Sequence, residues 1–114
     1  MKYVSKDIAE RFSNSDICRG VEYNFDDNTM NGALITINGR YPDRGYVMNE
    51  VCKELVFVVR GDGMVCKPDQ TIEFQAGDTL FIDNKERFYW SGNFDIYTVC
   101  TPSFDPQQHI EVAE

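Results

Sequence analysis

Two carboxylates lead the residues able to do chemistry. Glu50 and Glu54 stand four positions apart in Asn49-Glu50-Val51-Cys52-Lys53-Glu54. Nearby carboxylates raise each other's proton affinity, which suits one of them to general acid or base work near neutral pH. Each also has an ordinary role, Glu50 solvated on a loop and Glu54 paired with a lysine or arginine. A second group is Arg87-Phe88-Tyr89-Trp90. Aromatic faces with a few hydrogen-bonding groups suit a sugar ring or a similar amphipathic molecule. On a strand, Arg87 and Tyr89 point one way and Phe88 and Trp90 the other. The four cannot line one pocket, and Phe88 and Trp90 are expected inside. A third group, Arg40-Tyr41-Pro42-Asp43-Arg44, reads as a surface loop whose guanidiniums match the paired oxygens of a carboxylate or phosphate. Glu54 and Glu50 are thus the candidate catalytic residues. Arg40, Tyr41, Met48, Arg87, Phe88 and Trp90 are the candidate ligand-binding residues, with core packing the alternative for Met48 and Trp90.

Softer ligands are scattered. Cys18, Cys52, Cys66 and Cys100 form no Cys-x-x-Cys pair, so they read as reduced, small core residues rather than a zinc knuckle. The one histidine, His109, lies in Gln107-Gln108-His109 and is expected in an exposed tail. No metal or other cofactor is predicted.

The elements that position these groups repeat with a period of two. Val21–Phe25 alternates apolar with polar, as a half-buried strand does. Ala33–Ile37 is β-branched and ends at Asn38-Gly39, a turn signal. Leu55–Val59 is apolar throughout, which predicts a strand buried on both faces. Gly61-Asp62-Gly63 is expected to reverse the chain. Thr71–Phe74, Thr79–Ile82, Arg87–Trp90 and Phe94–Cys100 read as further strands, and Pro102 and Pro106 as the end of regular structure. Ser5 caps a short helical turn through Ile8, Ala9 and Phe12. Eight or so short strands without a long helix predict an all-β sandwich or barrel. One domain over residues 1–114 is expected, its core at about 17–104.

The glycine spacing narrows this. Glu54 and Gly61 are separated by six residues, and Gln75-Ala76-Gly77-Asp78-Thr79-Leu80-Phe81-Ile82 follows. This pair of segments resembles the two motifs of the cupin superfamily, small RmlC-like jelly rolls (double-stranded β-helix barrels), over about residues 45–90. The resemblance implies a ligand-holding barrel mouth and a homodimer. In its metal-binding members a His-x-His-x3-Glu arrangement and a later histidine hold the ion. The corresponding positions here are Met48, Glu50, Glu54 and Phe88, so only the glutamate matches. A three-histidine centre is arithmetically excluded in a chain with one histidine.

The net charge of −8, from 11 basic and 19 acidic residues with no basic cluster, argues against a nucleic-acid partner. No signal peptide and no stretch near the ~20 apolar residues of a membrane span is found, so a cytoplasmic protein with no membrane partner is expected. The leading functional reading is a module binding a sugar-like or carboxylate-bearing small molecule. The alternative is a metal-independent epimerase, isomerase or lyase with Glu54 as acid or base. A metalloenzyme with atypical ligands Glu50, Glu54, Cys52 and a folded-back His109 ranks third.

Overall fold

A computed structural model describes all 114 residues. Nine strands follow one another: β1 Glu10–Ser13, β2 Cys18–Tyr23, β3 Asn31–Tyr41, β4 Tyr46–Asn49, β5 Lys53–Lys67, β6 Gln70–Gln75, β7 Thr79–Ile82, β8 Arg87–Thr101 and β9 His109–Val112. All pairings are antiparallel, with β1-β2-β3-β8-β5 side by side and β6 and β7 on the far side of β5. The start of β8 leaves this layer to pair with β4, which in turn pairs with β9. The long strands β3, β5 and β8 thus curl the sheet into a jelly roll. No helix is long and apolar enough to cross a membrane.

Directly opposed residues of an antiparallel sheet share a face. The register therefore sets Asn31, Cys100 and Glu54 in one inward row, and Glu22, Ala33, Thr98 and Val56 in the next. Ile35, Ile96 and Val58 continue inward. At the closed end Phe74, Phe88, Trp90 and Phe94 pack edge to face or tilted, with centroids 4.9–5.9 Å apart. This cluster, with Ile37, Val56, Val58 and Ile96, is the core.

Two of the outward rows are largely apolar as well. Tyr23, Gly32, Val99, Leu55 and Phe81 lie in one, and Val21, Leu34, Tyr97 and Phe57 in another. Leu55, Phe57, Val59 and Phe81 are 48–61% exposed. The expectation that Leu55–Val59 is buried on both faces is therefore corrected: the run is apolar because its outer half forms a surface patch. Gly61-Asp62-Gly63 does not reverse the chain either, since β5 runs through it. Gly61 has φ +83° and a Cβ there would sit 2.2 Å from the Asn93 carbonyl oxygen. A Cβ on Gly92 would come 2.6 Å from the Cα of Gly63. These glycines let β5 and β8 bend together in contact, which side chains would prevent. For the same reason Arg87–Trp90 and Phe94–Cys100 are one strand, not two.

Both ends differ from expectation. The predicted helical turn is reduced to hydrogen bonds from the Ile8 and Ala9 amides to the Ser5 carbonyl, and Phe12 belongs to β1. Beyond Pro106 the chain forms a single 3-10 turn over Pro106–Gln108 and then β9. The tail folds back because Ile110 and Val112 continue the alternation and β4 offers an unpaired edge.

Candidate functional site

The inward rows enclose a cavity of about 210 Å³, room for a small organic molecule rather than a single water. Ile35, Ile37, Ile96, Phe88, Trp90 and Phe104 supply an apolar and aromatic wall. Polar groups converge from the other side: Glu22 from β2, Asn31 and Tyr41 from β3, Glu54 from β5, Thr98 from β8 and His109 from β9. No lysine or arginine lines it.

Four of the polar side chains are linked. The Tyr41 hydroxyl lies 3.1 Å from His109 Nε2, and His109 Nδ1 lies 2.8 Å from Asn49 Oδ1. Asn49 Nδ2 donates to Glu54 Oε1. Because Asn49 Oδ1 can only accept, His109 carries its proton on Nδ1. Its Nε2 is then a lone-pair acceptor for the Tyr41 phenol. Gln108 Nε2 donates to the same Asn49 oxygen at 3.3 Å, and the Gln108 carbonyl oxygen receives the amides of Val51 and Cys52. Asn49 is 2% exposed, so the link between His109 and Glu54 is fixed behind the cavity wall.

Burial sets the proton affinities. It holds His109 below the usual imidazole range, which keeps the ring neutral with its Nε2 lone pair free. It raises Glu54, with the Asn49 amide opposing in part. Glu22 is raised by burial and by Glu10 beside it. Burial also raises Tyr41, helped by Cys18 and Glu111. Cys52 and Cys100 are in contact. The neighbouring Cys100 thiol lowers Cys52 against the opposing effect of burial, while Cys100 itself is raised by Cys52 and by burial. The cavity thus holds two carboxylates biased toward protonation and one imidazole biased against it, the division of acid and base that proton-transfer chemistry requires.

Of the residues singled out in the sequence, Glu54, Tyr41, Phe88 and Trp90 meet at this cavity. Four do not. Glu50 is exposed, so it cannot share the mouth with Glu54. Met48 and Arg87 are register partners on the strand face opposite to Val47 and Phe88, turned away from the cavity. Arg40 lies 3.8 Å over the Tyr89 ring and donates to the carbonyls of Pro42 and Gly45 at 2.6 and 3.1 Å. Its guanidinium braces the loop after β3 instead of facing the cavity. Tyr41 is not on that loop but closes β3.

His109 is a correction in the other direction, half-buried in the cavity wall instead of exposed in a tail. Glu22 carries no signal in the sequence that marks it for the site, and Asn49 is marked only by its place one residue from a histidine position of the cupin motif. Glu22 belongs to an alternating strand whose apolar half faces outward, so its polar half reads as solvated. Asn49 carries no chemistry of its own beyond its amide. The four positions that correspond to a cupin metal centre do not fit one. Phe88 has no lone pair, Met48 and Glu50 point elsewhere, and Glu54 is left alone.

No family model and no curated protein matches the sequence. Solved structures do match. A nucleoside dehydratase superposes with a TM-score of 0.85 at 18% identity, over 99% of this chain and 92% of that one. A variant of this Streptomyces protein with uridine gives 0.86 over the same shares, again at 18% identity. An RmlC-like cupin from Shewanella frigidimarina gives 0.74 at 14% identity, over 92% and 94%. Ectoine synthase from P. lautus gives 0.68 at 13%, over 88% and 79%. Proteins of this shape include enzymes acting on small molecules. With its curled antiparallel sheet, inward cavity and Glu54 at the head of β5, this chain has the RmlC-like cupin fold.

Proposed function

We propose that the cavity binds a neutral, hydroxyl-bearing ring compound, a sugar or the sugar half of a nucleoside. The observation that carries this reading is the lining itself: an aromatic and aliphatic wall faces carboxyl, amide, phenol and imidazole groups, with no cationic side chain among them. Hydroxyls find both donors and acceptors there. A carboxylate-bearing ligand would meet Glu22 and Glu54 unpaired, so neutral ligands are favoured over sugar acids. The uridine complex of the similarly folded dehydratase supports the same class. A thermal-shift panel of nucleosides and neutral sugars, with sugar acids alongside, tests it. A ligand at about 100 times its Kd adds about 2.7 kcal/mol, roughly 10 °C for a chain of this length. Stabilisation by sugar acids alone, or by nothing at millimolar concentration, overturns the reading.

A second reading is favoured by the chain Tyr41–His109–Asn49–Glu54. In it the protein is an acid–base enzyme for an elimination or isomerisation of the same ligand class. Neutral His109, working through Tyr41, accepts a proton, and Glu54 supplies one.

The outward apolar rows support a homodimer. An isologous contact covers the Leu55, Phe57 and Phe81 patch on both copies at once, and a patch of this kind marks an association surface. Analytical ultracentrifugation is expected to give a dimer for the native chain and a folded monomer for Phe81→Glu. A monomeric native chain at tens of micromolar would dispose of the proposal.

A further inference from the structure

The cavity ends at a cluster whose two thiols neither reading above uses. Glu54 lies directly opposite Cys100 in the register of β5 and β8. Cys52, two residues before Glu54, brings its sulfur to the same spot. The two Sγ atoms and a Glu54 carboxylate oxygen all lie within 4.8 Å of one another, and both cysteines are free and buried. We propose that Cys52, Cys100 and Glu54 bind a thiophilic divalent cation of the zinc class, with an open coordination position facing the cavity.

Three features point to a cation here rather than to packed thiols. The spacing is close to what the ion demands. Zinc with sulfur at about 2.3 Å and oxygen at about 2.1 Å in a tetrahedron holds its ligands about 3.6–3.8 Å apart, so side-chain adjustments of roughly an ångström close the site. The ligands also have outer partners. Gln108 Nε2 donates to Cys52 Sγ at 3.2 Å while its carbonyl oxygen is held by the Val51 and Cys52 amides. The amide is thereby locked with an N–H toward sulfur, as suits a thiolate. Asn49 holds one Glu54 oxygen and leaves the other to the ion. Finally, Glu54 and Cys100 belong to the cavity wall and Cys52 does not. Three protein ligands and a free position toward a ligand cavity form the arrangement of catalytic rather than structural zinc.

Two thiolates exclude magnesium and calcium and select a softer ion. Binding releases the protons of both thiols, and that of Glu54 where it is protonated, to solvent. The bound ion is then the only positive charge at the cavity and would draw a ligand hydroxyl or carbonyl oxygen to its open position. Glu54 cannot hold the ion and deliver a proton at once, so the acid–base reading applies to the metal-free protein, where it is tested separately.

The experiment titrates reduced, metal-stripped protein with Co²⁺ and then displaces it with Zn²⁺. One equivalent per chain is expected, with sulfur-to-cobalt charge-transfer absorption in the near ultraviolet and the intense visible bands of a four-coordinate ion. The absorption should vanish in Cys52→Ser and in Cys100→Ser and persist in Cys66→Ala, whose thiol lies outside the cluster. Gln108→Leu should weaken zinc binding about 10–100-fold. The native chain answers even where a variant misfolds. Folded native protein that gives no charge-transfer band overturns the proposal. So does a band that survives both serine substitutions.

Discussion

Trp90→Ala is expected to cost about 3–5 kcal/mol, the range for truncating a buried tryptophan. The melting temperature should fall by roughly 10–20 °C. Trp90 is 5% exposed, and its ring meets Phe74, Phe88 and Phe94 at 5.9, 5.7 and 5.6 Å. These contacts join β6 to both halves of β8, so the loss is spread over the bend where the sheet curls. Trp90→Phe retains most of the contact and should cost far less. Equilibrium unfolding in urea checks both. A loss below about 1 kcal/mol for the alanine variant would mean that the bend is held by its glycines and hydrogen bonds alone. Because Trp90 also lines the cavity, the phenylalanine variant separates its two roles: ligand affinity should fall even where stability is kept.

Glu54→Gln is expected to stabilise the metal-free protein at neutral pH, and increasingly so as pH rises. Burial raises the Glu54 proton affinity in the folded state. Between its ordinary pKa near 4.5 and its higher folded value, the folded chain holds a proton that the unfolded chain has released. Stability therefore falls as pH increases through that window. Glutamine keeps the acceptor for Asn49 Nδ2 and removes the titration. His109 works in the opposite sense. Its folded proton affinity is depressed, so its contribution is present above pH 6.5 and is lost as pH falls toward the folded value. The native chain should be squeezed from both sides, whereas Glu54→Gln should lose stability only on acidification. Urea midpoints from pH 4 to pH 9 decide it; a native-minus-variant difference that does not change with pH would remove Glu54 from the buried titrating groups. In the acid–base reading the same substitution lowers turnover about 10²–10⁴-fold. Loss of turnover without loss of stability is the combination a purely structural glutamate would not give.

Much of this molecule was legible in its residues. Alternation, turn signals and the paired glycine motifs around Gly61 and Gly77 are local properties of the chain. They specify most of the strands, and through them an all-β sandwich or barrel, before any contact is known; the jelly roll follows from the resemblance of the two glycine segments to the cupin motifs. Phe88 and Trp90 were also placed inward by parity along a strand, whereas the face that Glu54 takes is left open. Parity does not say which face is inward, however. Glu22 was lost because the outward half of β2 is largely apolar, so hydrophobicity marks an exposed patch as readily as a core. The run Leu55–Val59 was misread for the same reason. The site itself is non-local. His109 reaches Tyr41, 68 positions away, because β9 completes the edge of β4. Cys52 meets Cys100 through the register of β5 on β8. No spacing along the chain encodes those meetings. Closing the sheet creates them, since only the fold decides which distant residues occupy the same row.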